Sequence, residues 1–170
     1  MRVVFTRVDE RLIHGQVILG WTNQTNTRLI MAIISNIFEI MAVNDEVAAN
    51  PLQKNLLKLG VKPGVQVEII SVAEAIIKIQ ENAWGDTATM VLVRNPIDLR
   101  TLIQAGLPVT KVNVGGVRDP EASIVLTKEV KATPEELEAW KDLDKMGVQI
   151  DIQFVPDQSV TNLNKVLKSY

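Results

Sequence analysis

The chain has 170 residues, 46% of them hydrophobic and 22% charged, a balance that suits one globular domain over residues 1–170 with its own core and excludes a disordered chain. A formal net charge of −2 with scattered Lys and Arg argues against nucleic acid as the main partner, and the lack of cysteine removes disulfide frameworks, thiolate metal sites and cysteine nucleophiles together. Arg7 breaks the N-terminal apolar run, and Leu29 to Val43, which holds Ser35, Asn36 and Glu39, falls short of the roughly 20 apolar residues of a membrane helix, so a soluble, cytoplasmic protein is expected.

In chain order, the apolar runs predict strands at Arg2–Val8, within Leu29–Val43, and at Val65–Ile70, Thr89–Val93, Lys111–Val114 and Val148–Val155. Helical patterns lie between them, at about Gly15 to Asn23, Glu46 to Leu59 closed by Gly60, Val72 to Glu81, and Pro96 to Ala105 with Asn95 as N-cap and Gly106 as stop. Thr133-Pro134-Glu135-Glu136 is a capping box that opens a helix running to about Met146, which Gly147 terminates. Ile124–Val130 reads as an extra edge strand and Asp157–Tyr170 as a terminal helix. Strands alternating with helices predict an α/β fold: a three-layer domain whose mostly parallel central sheet carries helices on both faces, with an antiparallel edge strand as an option.

Within Leu29–Val43 the tripeptide Ile30-Met31-Ala32 recurs as Ile40-Met41-Ala42. Of the two, Glu39–Val43 is the expected second strand, because it delivers Asn44 and Asp45 to the sheet's rim without an intervening turn.

In open α/β sheets ligands bind beyond the carboxyl ends of the strands. The first strand ends in Asp9-Glu10-Arg11-Leu12-Ile13-His14-Gly15-Gln16, the second in Asn44-Asp45-Glu46, and the fifth in Gly115-Gly116-Val117-Arg118. Parallel strands bring these ends to one rim. His14, just before a helix N-terminus, combines a nucleophilic ring nitrogen with a site that favours a phosphate. Arg11 is suited to neutralise phosphoryl oxygens, Asp9 to orient Arg11 or the imidazole, and the glycine pair to let backbone amides approach an anion. Each feature has a plainer reading when taken alone: Arg11 as a surface ion-pair partner, Asp9 or Asp45 as a helix cap, Gly115-Gly116 as a tight turn, Trp21 as packing. Asp9, Glu10, His14, Asp45 and Glu46 show no recognised metal-ligand spacing, and the chain has no phosphate loop, dinucleotide fingerprint or Gly-x-Ser-x-Gly elbow.

The run Arg7-Val8-Asp9-Glu10-Arg11-Leu12-Ile13-His14-Gly15-Gln16-Val17, followed by Trp21, resembles the active-site segment of the IIB component of the mannose/fructose/sorbose family of bacterial phosphotransferase systems. The resemblance continues in Asn44-Asp45-Glu46-Val47-Ala48-Ala49-Asn50, in Val112-Asn113-Val114-Gly115-Gly116, and in Leu143–Gly147 with Val155-Pro156. It implies a phosphocarrier in which His14 takes a phosphoryl group from a phosphohistidine on a IIA component and passes it to a sugar bound by the membrane IIC and IID components. No cofactor is implied, and a homo-oligomer stays open. By the same resemblance the family arginine maps onto Arg11 and its acidic pair onto Asp9 and Glu10, with Gln16 and Gly15 as further phosphate support. Asn44, Asp45, Gly115 and Gly116 are the expected rim contributors. Two departures stand out: the repeated Ile-Met-Ala unit, and Val117-Arg118-Asp119-Pro120 in place of the family's bulkier, Met-containing stretch. The alternative from another class is a regulatory module that holds a small anion at the same rim without covalent chemistry.

Overall fold

Ala88–Val93 is buried along its whole length, as a strand in the middle of a sheet covered on both sides must be. The computed structural model describes residues 2–34, 63–83, 85–118 and 121–170. Its strands are β1 (Arg2–Val8), β2 (Leu29–Ile34), β3 (Gln66–Ser71), β4 (Ala88–Val93), β5 (Lys111–Val114), β6 (Ile124–Val125), β7 (Lys131–Ala132), β8 (Gln149–Ile152) and β9 (Thr161–Asn162). Seven of them form one sheet in the order β3-β2-β4-β1-β5-β8-β9. All neighbours run parallel except β8 and β9. The parallel register pairs Val8 with both Val93 and Val114, so the carboxyl ends of β4, β1 and β5 sit side by side.

The helices are α1 (Thr22–Thr25), continuous with a preceding π-helical stretch over Gln16–Trp21, then α2 (Val72–Gln80), α3 (Pro96–Gln104), α4 (Pro134–Lys145) and α5 (Leu163–Leu167). Local chemistry sets their ends. At α4 Glu136 N donates to Thr133 Oγ1 at 3.2 Å, while Glu136 Oε2 accepts from Thr133 N at 2.9 Å. At α3 Asp98 N donates to Asn95 Oδ1 at 2.8 Å ahead of Pro96. Beyond them Gly106 and Gly147 take the left-handed conformation, with φ of 106° and 79°, that closes a helix with least strain in a residue lacking Cβ.

Alternation in the strands divides the core into two clusters. Met31, Ile33, Val91 and Val93 meet α3 and α4 through Leu99, Leu102, Trp140 and Leu143, whereas Ile30, Met90 and Leu92 meet Leu12, Val17 and Trp21 on the other face. Full burial of a side chain such as Leu102 or Leu143 contributes about 1.5–3 kcal/mol. Helices therefore cover both faces, and the chain leaves β1 towards one face and β4 towards the opposite one. Such divergence opens a crevice at the carboxyl ends of the two strands.

Four sequence expectations need correction. The second strand is Leu29–Ile34 rather than Glu39–Val43: the first apolar copy is the one that pairs residue for residue with β3 and β4, and Glu39–Val43, like Glu46–Gly60, lies outside the described residues. Ile124–Val130 adds no edge to the main sheet, since β6 pairs antiparallel with β7 in a separate two-stranded hairpin. The antiparallel edge is β9, inside the segment read as a terminal helix, which shortens that helix to Leu163–Leu167. Asn162 Nδ2 donates to Asp151 Oδ1 at 3.2 Å, a tertiary contact that local propensity does not reveal. The final strand is also shorter than expected, because the chain leaves the sheet after Ile152.

Candidate functional site

In an extended strand alternate side chains share a face, so Arg7 and Asp9, the latter one residue beyond β1, lie on the same side. The Asp9 amide donates to Val93 O at 2.9 Å and the Glu10 amide to Gly116 O at 3.0 Å, which wedges the segment leaving β1 between the ends of β4 and β5. Leu12 N then donates to Asp9 O at 3.0 Å and closes a turn. Leu12 has φ of 52°, a left-handed conformation that costs a non-glycine residue on the order of 1 kcal/mol or more. Its buried side chain, clustered with Val17 and Trp21, offsets that cost. The turn leaves Leu12 O 3.0 Å from Nδ1 of His14.

The charges of the site meet on Asp9, which is wholly buried. Its Oδ2 accepts from Nε and Nη2 of Arg7 at 3.1 and 2.8 Å and from Nη2 of Arg11 at 3.3 Å. Its Oδ1 accepts from the amide and Nε of Arg11 at 3.1 and 3.2 Å. His14 Nε2 lies 3.5 Å from Oδ2 and 3.3 Å from Gln16 Oε1, an oxygen that also accepts from Arg11 Nη2 at 2.9 Å. One carboxylate thus holds two guanidinium groups and the imidazole. Two cations around one anion leave a residual positive charge, the balance a phosphoryl dianion needs.

Openness grades across the cluster: the side chain of Arg7 is 0% exposed, that of His14 16% and that of Arg11 45%. Beside the loop runs an open groove of about 720 Å³ lined by Gly15, Gln16, Leu19, Gly20, Val155 and Pro156 among others. His14 therefore stands at the border between the buried Arg7–Asp9 pair and the open groove that begins at Gly15 and Gln16.

Arg7 carries chemistry that the reading by loops overlooked. Its Nη1 donates to Gln153 O at 2.9 Å and to Asn113 Oδ1, and its guanidinium carbon lies 5.7 Å from the centre of the Trp21 ring. Burial pulls its pKa below the usual arginine value, against the opposing pull of the Asp9 charge. The signal available in the sequence was the i, i+2 spacing of Arg7 and Asp9 across a strand end. Trp21 is more than filler: it stacks on Phe5 at 4.6 Å between ring centres and donates Nε1 to Phe154 O at 3.1 Å.

His14, Arg11, Asp9 and Gln16 form one cluster in which Asp9 and Gln16 each meet both Arg11 and His14, and Gly15 is the exposed residue at which the helical stretch begins. Gly116 supplies its carbonyl to Glu10. Gly115 donates its amide to Val8 O at 2.9 Å, and a Cβ built on it would overlap Nη2 of Arg7 and Oδ2 of Asp9. The lack of a side chain there makes room for the buried ion pair, a different use from the approach of an amide to an anion. Asn44 and Asp45 lie outside the described residues.

Comparison with known proteins puts this geometry in context. The family model described as the PTS system sorbose subfamily IIB component matches residues 3–170. A PTS system sorbose-specific EIIB component of Klebsiella pneumoniae is 30% identical over 167 residues, covering 98% of this chain and 96% of that protein. The N-acetylgalactosamine-specific phosphotransferase enzyme IIB component 2 of Escherichia coli (strain K12) is 32% identical over 166 residues, covering 97% and 98%. The mannose-specific EIIAB component of the same strain is 32% identical over 155 residues, 91% of this chain and 45% of that longer protein. The crystal structure of the IIBSor domain of the sorbose permease from Klebsiella pneumoniae matches with a TM-score of 0.80 at 28% identity, covering 99% of this chain and 98% of that one.

Proposed function

The chain belongs to the sorbose subfamily of phosphotransferase-system IIB components, and from that premise we propose that His14 is the residue that carries the phosphoryl group. A IIB component is a phosphocarrier of sugar uptake, so the open question is which atoms do the work. The observation that carries the reading is the meeting of Arg7, Arg11 and His14 on the buried Asp9 carboxylate.

In the proposed step a ring nitrogen of His14 attacks the phosphorus of a phosphohistidine on a IIA partner. The new P–N bond forms as the donor's P–N bond breaks, and the electron pair of the broken bond stays on the donor imidazole. Both ring nitrogens of His14 now face acceptors, Leu12 O on one side and Gln16 Oε1 with Asp9 Oδ2 on the other, so the ring gives up one of these contacts to present its lone pair. Arg11 is held by Nε and Nη2, and its Nη1 makes no hydrogen bond among the described residues. That N–H group is free for a phosphoryl oxygen. Because transfer of this kind rests on positioning and charge rather than on covalent help from the protein, a guanidinium locked to a buried carboxylate is well suited to it.

Among the described residues no helix is long and apolar enough to cross a membrane. We place the second half-reaction on membrane IIC and IID components that bind the sugar, with this chain at their cytoplasmic face. The EIIAB name of the mannose relative supports a IIA partner as donor.

Incubation with a phosphorylated IIA domain, followed by mapping of the modified residue, tests the assignment. His14 is the only histidine, so labelling has no background site. His14→Ala is expected to keep its circular dichroism spectrum and to take up no phosphoryl group; normal labelling of that variant would end the proposal.

A further inference from the structure

Strand order and charge together point beyond the chemistry of the single phosphoryl group. The carboxyl ends of β4, β1 and β5 are neighbours, and each is followed by an arginine: Arg94 directly after β4, Arg11 in the loop after β1, and Arg118 after the glycine pair that follows β5. Arg11 is tied into the site. Arg94 and Arg118 are both exposed, and among the described residues neither guanidinium makes a hydrogen bond or an ion pair.

The backbone fixes both arginines close to the loop of His14. Arg94 follows Val93, whose carbonyl accepts the Asp9 amide at 2.9 Å, and the Arg118 amide donates to Glu10 Oε2 at 3.0 Å. None of the described carboxylates pairs with either guanidinium. Asp9 serves two arginines, Glu10 caps the Arg118 amide, and Asp98 is buried in the first turn of α3 with Asn95 Nδ2 donating to its Oδ2 at 3.2 Å. Arg94 and Arg118 therefore follow the two strands on either side of the one that carries the His14 loop, with no ion pair among the described residues, in a chain whose formal net charge is −2.

We infer that Arg94 and Arg118 form an electrostatic docking rim for an acidic protein surface, namely the surface that surrounds the phosphohistidine of the donor. The inference rests on the phosphocarrier reading of His14 and adds a partner property to it. Backbones two strands apart are separated by about 10 Å, a span suited to a protein face more than to one phosphoryl group. Charges at the edge of an interface act chiefly on encounter and on salt dependence, while chemistry stays with the buried centre. Lysine retains most of such an effect, since point charge rather than a planar fork is what the rim supplies.

The test combines binding with transfer, using a IIA domain as the probe. Calorimetry with unphosphorylated IIA, in about 50 mM and about 500 mM salt, gives Kd for the unaltered chain, R94E/R118E and R94K/R118K; initial rates with phosphorylated IIA give KM and kcat. In low salt R94E/R118E is expected to raise Kd and KM by about tenfold or more with kcat within about twofold, R94K/R118K to stay within about threefold of the unaltered chain, and high salt to remove most of the difference. Unchanged Kd and KM in R94E/R118E would overturn the rim. So would a fall in kcat at constant KM, which would move the two arginines into the chemistry. Failure of the chain to label at His14 while the charge reversals still weaken binding would end the functional reading and leave the rim standing.

Discussion

Adding one methyl group at Gly115 should strike the buried ion pair more directly than any change at the exposed loop. A Cβ at this position overlaps Nη2 of Arg7 and Oδ2 of Asp9, and neither atom is the free end of a mobile chain. Arg7 is anchored by Asn113 and Gln153 O, and Asp9 by Arg11 and by its own amide on Val93 O. Restoring van der Waals separation requires a shift of about 1 Å or more in one of them. Overpacking alone costs about 1–3 kcal/mol, and a buried pair pulled apart costs about 3–5 kcal/mol; Gly115→Ala is therefore expected to lose about 2–5 kcal/mol. Native domains hold about 5–15 kcal/mol in reserve, so a loss below about 5 kcal/mol leaves the variant folded at 25 °C and its chemistry measurable. Displacing Asp9 also displaces Arg11 and His14, and misplacement of about 1 Å at reacting groups slows a reaction by up to about 100-fold. Urea denaturation read by tryptophan fluorescence gives the stability, and initial rates of phosphoryl uptake give the second number. A midpoint and slope equal to those of the unaltered chain, with an unchanged rate, would refute the claim that Gly115 is bare in order to seat the pair.

Two further outcomes follow from the same structure. Arg11 is 45% exposed in its side chain, so Arg11→Ala should change stability by no more than about 1 kcal/mol while slowing transfer by about tenfold or more; Arg11→Lys should recover only part of the rate because it lacks the fork that spans Asp9 and Gln16, and equal rates in all three proteins would remove Arg11 from the site. Burial pushes the Asp151 carboxyl up, but Lys111, Asn162 and Gln149 donate to it and hold it below the usual carboxylate range. A carboxylate depressed in the folded state contributes stability that is present above its ordinary pKa and is lost as pH falls through the folded value. Asp151→Asn should accordingly flatten the acid side of the stability curve measured by urea melts, and an unchanged acid limb would discount the shift.

What could be read without coordinates divides along the line between local and distant chemistry. The N-terminal ends of α3 and α4 were legible because Asn95, Thr133 and Glu136 act on amides within three residues of themselves. The second strand was not, since both copies of Ile-Met-Ala have the same apolar pattern and only pairing with β3 and β4 distinguishes Leu29–Ile34. The π-helical start of the first helix left no mark in composition. At the site, His14, Arg11, Asp9 and Gln16 were legible because a single loop carries them all. Arg7 was hidden by its place inside a strand, where a charged residue between Thr6 and Val8 reads as one that points outward.

The partners of Arg7 explain why that residue and the His14 loop belong to one device. Asn113 and Gln153 are 106 and 146 residues from Arg7 in sequence, and they reach it only because β5 lies beside β1 in the sheet and β8 beside β5. A carboxylate facing Arg11 and His14 alone would hang from an exposed loop, free to follow the arginine outward. Held from behind by a guanidinium that is itself fastened to the ends of β5 and β8, Asp9 instead keeps its position in the proposed transfer, when Arg11 takes on a phosphoryl oxygen. The residual positive charge then stays fixed in space while the dianion arrives and leaves. In a low-dielectric setting fixed charge stabilises a transition state without further reorganisation, and here the sheet itself supplies the fixing.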